Sequence, residues 1–159
     1  MSQIKILIYG YGNPGRQDDG LGNEFIEQIQ SWAKNDENTA YEFDSNYQLN
    51  IEEAELISTK DLIIFVDASI EKEVETYKLT KVSNSSDITF TTHHASPGYI
   101  LQLCNSIFDK QPPTYLLHIK GFEWDFKVGL SAKAKTNLEK ALLFMKKKLK
   151  KPNTLIQQF

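Results

Sequence analysis

The chain has 159 residues, 40% of them hydrophobic and 25% charged, which suits one domain with a substantial core. Its formal charge of −3 lacks the net positive surface on which broad nucleic-acid binding depends. Cys104 is the single cysteine, so no intramolecular disulfide can form, and the longest apolar run, residues 62–66, is far too short to span a bilayer. The first residues, MSQIKILIYGYG, are too polar for a secretory signal, and a cytoplasmic protein with no membrane partner is expected. The basic run KKKLKK, residues 146–151, reads as a solvated helix end whose cations suit the helix dipole.

Taken in order, residues 4–9 (IKILIY) form a strand pattern rich in β-branched residues and closed by glycines. Leu21, Phe25, Ile26, Ile29 and Ala33 recur at helical spacing and predict an amphipathic helix over residues 20–34. Residues 41–44 (YEFD) suggest a second short strand and residues 50–58 a short helix. The segment DLIIFVDAS carries an unbroken apolar run ending at Asp67, the mark of a strand covered on both faces. Residues 77–82 alternate and suit an edge strand, and residues 88–92 (ITFTT) suit another. Ser96 and Pro97 form a cap and first-turn proline, opening a helix whose apolar stripe is Ile100, Leu101, Cys104, Ile107 and Phe108. A strand over residues 115–120 follows. Ser131 then opens a last helix with Leu138, Ala141, Leu142, Met145 and Leu149 on one face, ended by Pro152. The domain is expected over residues 1–151, with 152–159 a C-terminal tail.

This alternation predicts a single three-layer α/β/α domain around a mostly parallel, mixed sheet. In such sheets ligands sit outside the carboxyl ends of the strands. Asp19, Asp67 and one of His93 or His94 all fall just past predicted strand ends, so these residues are expected to converge. The two histidines are adjacent and point opposite ways on an extended segment. His118 falls mid-strand and reads as structural, and Cys104 as a buried core residue.

The first loop, GYGNPGRQDDGLG, has glycines at 10, 12 and 15 in the spacing of a dinucleotide fingerprint. The chemistry opposes that reading. A pyrophosphate needs bare N–H groups at the helix start, and Asp18 and Asp19 put negative charge there. GNPG after a strand also resembles the opening of the peptidyl-tRNA hydrolases, but the tyrosine and histidine that follow in that family are missing here. No H-E-x-x-H, G-x-S-x-G or C-x-x-C occurs.

Read with its acids, the same loop resembles that of the hydrogenase maturation endopeptidases, which process the large subunit of [NiFe]-hydrogenases. The likeness continues in order along the chain: IIFVDAS with Asp67, THHASPGYILQL with His93 at the family's histidine position, and GFEWDFKVGLSAKAKTNLEKAL as its closing segment. The resemblance implies an aspartic-type protease that removes a C-terminal peptide from the large-subunit precursor. Asp19, Asp67 and His93 would be its catalytic residues and would bind nickel delivered by that substrate, with no resident organic cofactor. Two carboxylates and an imidazole make a small metal site with open positions, and imidazole suits nickel and zinc. Asp18 reads as a cap of the following helix. Two departures stand out. Position 19 is Asp where some members have Glu, and Asp44-Ser45-Asn46-Tyr47-Gln48-Leu49 replaces an Asp-Gly-Gly-Thr type of turn. A monomer is expected, and a non-catalytic escort of the large subunit is the alternative reading.

Overall fold

The computed structural model describes residues 3–84 and 95–159. Within them, strands β1 (Ile4–Tyr11), β2 (Thr39–Asn46), β3 (Leu62–Ser69), β4 (Tyr77–Lys81) and β5 (Thr114–Lys120) form one sheet. Their spatial order is β2-β1-β3-β5-β4. β1 pairs in parallel with β2 and β3, and β3 with β5, while β4 runs antiparallel at the edge. The mostly parallel mixed sheet expected from the alternation is therefore present.

The central strands are apolar on both sides because both sides are covered. Ile6 and Ile8 enter one core cluster and Leu7 and Tyr9 the other; on β3, Leu62, Ile64 and Val66 oppose Ile63 and Phe65 in the same way. The first face carries α1 (Leu21–Ala33), α4 (Ala132–Leu149) and α5 (Pro152–Gln157). The second carries α2 (Glu53–Ile57) and α3 (Pro97–Phe108). All five stripe residues of α1 are buried, as are all five of α4. Burying one such side chain is worth roughly 2 kcal/mol, more than the difference in helix propensity between ordinary residues, so the stripe decides the element.

Caps set the helix starts. The Ser96 hydroxyl accepts from the Tyr99 N–H at 3.1 Å, and that of Ser131 from the Ala134 N–H at 3.2 Å. Three expectations need correction. In α3 the buried cluster stops at Cys104, so Ile107 is 64% and Phe108 38% exposed although both belong to the stripe. Residues 152–159 are no free tail: Pro152 ends α4 but also opens α5, whose Leu155 is buried in the core. Finally, β1 and β2 run two residues beyond their sequence patterns at the carboxyl end, to Tyr11 and Asn46, because parallel pairing between them continues through that pair. The strand expected over residues 88–92 lies outside the described residues.

Candidate active site

Steric limits place the first loop. A Cβ on Gly10 would fall 2.2 Å from the Gly22 carbonyl oxygen, and one on Gly22 would fall 2.5 Å from that of Val66. The first turn of α1 therefore lies directly across the ends of β1 and β3, an approach that glycine alone permits. Gly12 has φ 147°, and a Cβ there would meet the Asp19 carbonyl oxygen at 2.0 Å. Between these contacts, residues Pro14–Gly20 form a 3-10 segment kinked at Arg16 and Gln17. Gln17 sits at φ 47°, ψ −114°, which is strained for a residue with a Cβ. Asn13 steadies the turn, its side chain accepting from the Gly15 N–H at 2.9 Å while its own N–H donates to the Asp19 carboxylate at 2.9 Å.

Topology supplies the second acid. β2 lies on one side of β1 and β3 on the other, so the chain switches direction of growth at β1 and a crevice opens at the carboxyl ends of β1 and β3. Asp19 follows β1, and Asp67 sits near the end of β3. Both line one cleft of about 270 Å³. Its other walls are Tyr11 and Gly12 from β1 and the turn after it, Tyr47, Gln48 and Leu49 after β2, and Ala95 ahead of α3.

The two acids feel each other. Burial and then the charge of Asp19 push the Asp67 carboxyl up to about 7, against the opposing pull of the Ala68 N–H and the Tyr11 hydroxyl. Ionising both acids together is therefore unfavourable, and a cation placed between the carboxylates would relieve that repulsion. Two carboxylates are oxygen donors of the kind that divalent ions accept.

His93 and His94 lie outside the described residues, although Ala95, next in sequence, lines the cleft. Among the described residues no group of three or more His, Cys, Asp and Glu side chains could hold a metal ion. His118 sits beside Asp67 in the β3–β5 register, yet its Nε2 is engaged by the Thr80 hydroxyl at 3.0 Å. Burial holds its pKa below the usual imidazole value. Cys104 is fully buried in the core, which raises its thiol pKa.

The hydrogenase maturation protease HycI from Thermococcus kodakarensis KOD1 superposes with a TM-score of 0.72, covering 94% of each chain at 18% identity. An endopeptidase from Escherichia coli matches at 0.70 over 89% of this chain and 90% of its own, at 16% identity. The hydrogenase maturating endopeptidase HybD from E. coli gives 0.63 over 89% and 90%, at 17% identity. The fold is that of the hydrogenase maturation proteases. No protein-family model matches the sequence, and no curated protein sequence does. At such identities the likeness to the maturation proteases is one of fold.

Two residues of this loop differ from, or go beyond, the sequence reading. Asp18 does not cap α1. It is fully buried and turned away from the cleft, accepting from the Phe122 N–H at 2.7 Å, the Glu123 N–H at 2.9 Å, and the Ser131 N–H and hydroxyl at 2.7 Å each. Burial pushes its pKa up, but these four donors outweigh burial and hold it below the usual value. Asp18 thereby fastens the irregular segment 121–131 beside the candidate site. Nothing local signals this, since the partners lie more than 100 positions away. Tyr11 was also missed, and here a signal existed: period-2 counting along β1 puts Tyr9 and Tyr11 on one face, the face that Asp67 shares by the same count along β3.

Proposed function

We propose that this chain is an endopeptidase that removes the C-terminal peptide of a nickel-loaded [NiFe]-hydrogenase large-subunit precursor. The observation that carries the reading is the convergence of Asp19 and Asp67 in one cleft at the sheet's switch point, within a fold shared over 94% of the chain with a hydrogenase maturation protease. Nickel belongs to the substrate in this reading. Asp19, Asp67 and His93 recognise it as the sign of a finished precursor. The acidic cleft suits a cation, and the perturbed Asp67 supports a site built to exchange a proton for one.

Hydrolysis then needs a water activated beside the scissile carbonyl. A carboxylate oxygen of Asp19 takes the proton as the water oxygen bonds to the carbonyl carbon, and the C–N bond breaks as the amine leaves with a proton. Asp67, having given up its proton to bind the metal, stays ionised as a ligand, and the proton that Asp19 takes from the water passes to the leaving nitrogen, so the step balances with one carboxylate as ligand and the other as proton carrier. The use of an aspartate as the proton carrier is the sense in which the enzyme is aspartic-type. Tyr47, Gln48 and Leu49, standing where the family has its Asp-Gly-Gly-Thr turn, form the wall that selects the precursor. The protein acts as a cytoplasmic monomer without nucleic-acid or membrane partners; among the described residues no helix is long and apolar enough to cross a membrane.

The test is the intact mass of the large subunit in cells lacking this gene, complemented with wild type, Asp19→Asn, Asp67→Asn or His93→Ala. The reading expects a precursor that keeps its tail unless wild type is supplied. Full maturation in the deletion strain, or rescue by both aspartate variants, overturns it. Loss of precursor binding in these variants with normal cleavage elsewhere would favour the escort.

A further inference from the structure

The segment 121–131 leaves β5 at the end of the sheet that holds the acids. The Gly121 N–H donates to the Ser69 carbonyl at 3.0 Å, two positions past Asp67 on β3. Three of the segment's apolar side chains are turned to solvent: Phe126 and Val128 are each 86% exposed and Phe122 40%. Its backbone is nevertheless fastened. The buried Asp18 carboxylate holds both ends, the Asp18 N–H donates to the Glu123 carbonyl at 3.0 Å, and the Arg16 guanidinium lies 4.9 Å from the centre of the Phe126 ring. Val128 also walls a groove of about 390 Å³ together with Pro14, Gly20 and Leu138. Asp19 stands on the same 3-10 segment as these anchors, so the displayed side chains and the cleft share one support.

We propose that Phe126 and Val128 form a docking surface for the folded body of the large-subunit precursor, seated beside the cleft that receives its tail. This role rests on the endopeptidase reading above and says where the body of that substrate is gripped. A single exposed apolar residue is ordinary. These stand on backbone ordered by a buried carboxylate, so their positions are fixed before a partner arrives and less entropy is lost when it does. Area decides between the occupants. Phe122, Phe126 and Val128 offer at most about 400 Å² of apolar surface, half of what one side of a stable interface needs. A second copy of this chain would have to find the rest away from the segment. A partner whose tail already fills the adjacent cleft brings that area with it.

The experiment takes the nickel-loaded precursor that accumulates in cells lacking this gene and follows its cleavage by intact mass. The full chain is used as wild type, Phe126→Ser, Val128→Ser, the Phe126→Ser/Val128→Ser pair and Ile107→Ser. Ile107, 64% exposed in the last turn of α3, is the apolar surface control. Thermal unfolding and sedimentation equilibrium are recorded for each. Phe126→Ser is expected to raise KM about 30-fold, and Val128→Ser by less, with kcat and the melting temperature held at wild-type values. Ile107→Ser should match wild type throughout. A wild-type KM in the pair, alongside tail removal by wild type, overturns the docking surface and leaves the endopeptidase standing. An equal rise in Ile107→Ser, or a fall in kcat at unchanged KM, overturns the docking surface too. So does a wild-type dimer that the pair dissolves, which assigns these side chains to a second copy of the chain. If no precursor accumulates, or wild type leaves it uncut, the endopeptidase reading falls and the docking surface with it.

Discussion

Two adjacent carboxylates do opposite work in this molecule. Asp18 faces inward and receives four donors, whereas Asp19 faces the cleft and is held by one N–H, that of Asn13. Asp18→Ala leaves three backbone N–H groups and a hydroxyl without their acceptor, which should destabilise the fold on the order of 3–5 kcal/mol in urea unfolding. The pH dependence follows from the depressed pKa. The stability Asp18 contributes is complete above the ordinary value of 3.8 and is lost as pH falls through the lower folded-state value. An acid titration should therefore lose this component in wild type and show no such loss in Asp18→Ala. Asp67 has the opposite sign. Its folded value of about 7 lies above the ordinary 3.8, so the stability linked to it is present at low pH and is lost as pH rises through 7. Asp67→Asn should therefore unfold at a higher temperature than wild type at pH 8 and at a similar one at pH 4, while failing to restore cleavage. A lower melting temperature at pH 8 would show that the carboxylate is not strained in the apo fold.

At the scale of elements, the sequence was most informative where packing alone decides the structure. The stripes of α1 and α4 and the two-faced run of β3 follow from period and burial, and they put Asp19 and Asp67 at strand ends before any coordinates are known. The segment 121–131 was opaque for a physical reason. GFEWDFKVGLS has no period of 2 or 3.6, and its shape comes from groups on the 3-10 segment. The Gln17 N–H donates to the Lys127 carbonyl and the Arg16 guanidinium to that of Trp124, while the Asp18 carboxylate ties both ends. The strained Gln17 is held on both sides, its N–H donating to Lys127 and its side-chain oxygen accepting from the Asp125 N–H at 3.1 Å. Gly22 is the position where element packing and site meet. Gly22→Ala would drive a Cβ to 2.5 Å from the Val66 carbonyl, a backbone atom that cannot rotate away. The substitution should cost about 2–4 kcal/mol and lift α1 from the sheet, weakening metal binding in the same variant. Retained affinity at undiminished stability would mean that the glycine contacts do not set the position of Asp19.

Across the whole molecule, the sheet separates a chemical end from a structural end. The acids gather at the carboxyl ends of β1 and β3, whereas the C-terminal helix closes the core near the opposite end of β5. There the Tyr115 hydroxyl donates to the Leu155 carbonyl at 2.7 Å, and the Phe159 ring meets the Tyr115 ring edge-on with centroids 5.5 Å apart. Leu155 itself is buried with Met145 and Leu149 of α4 in the larger core cluster. Composition hid this role, because Pro152 marks the end of one helix as readily as the start of the next. Leu155→Ala should cost about 2–4 kcal/mol, the range for removing a buried leucine, and should lower the denaturant midpoint without changing its slope. Because no residue of α5 is among the described residues that line the cleft, metal affinity and the cleavage rate measured well below the melting temperature should stay at wild-type values. Equal losses of stability and affinity would instead mean that the two ends of the sheet are coupled. The fixed geometry of Asp19 and Asp67 would then depend on the whole core rather than on the glycine contacts beneath them.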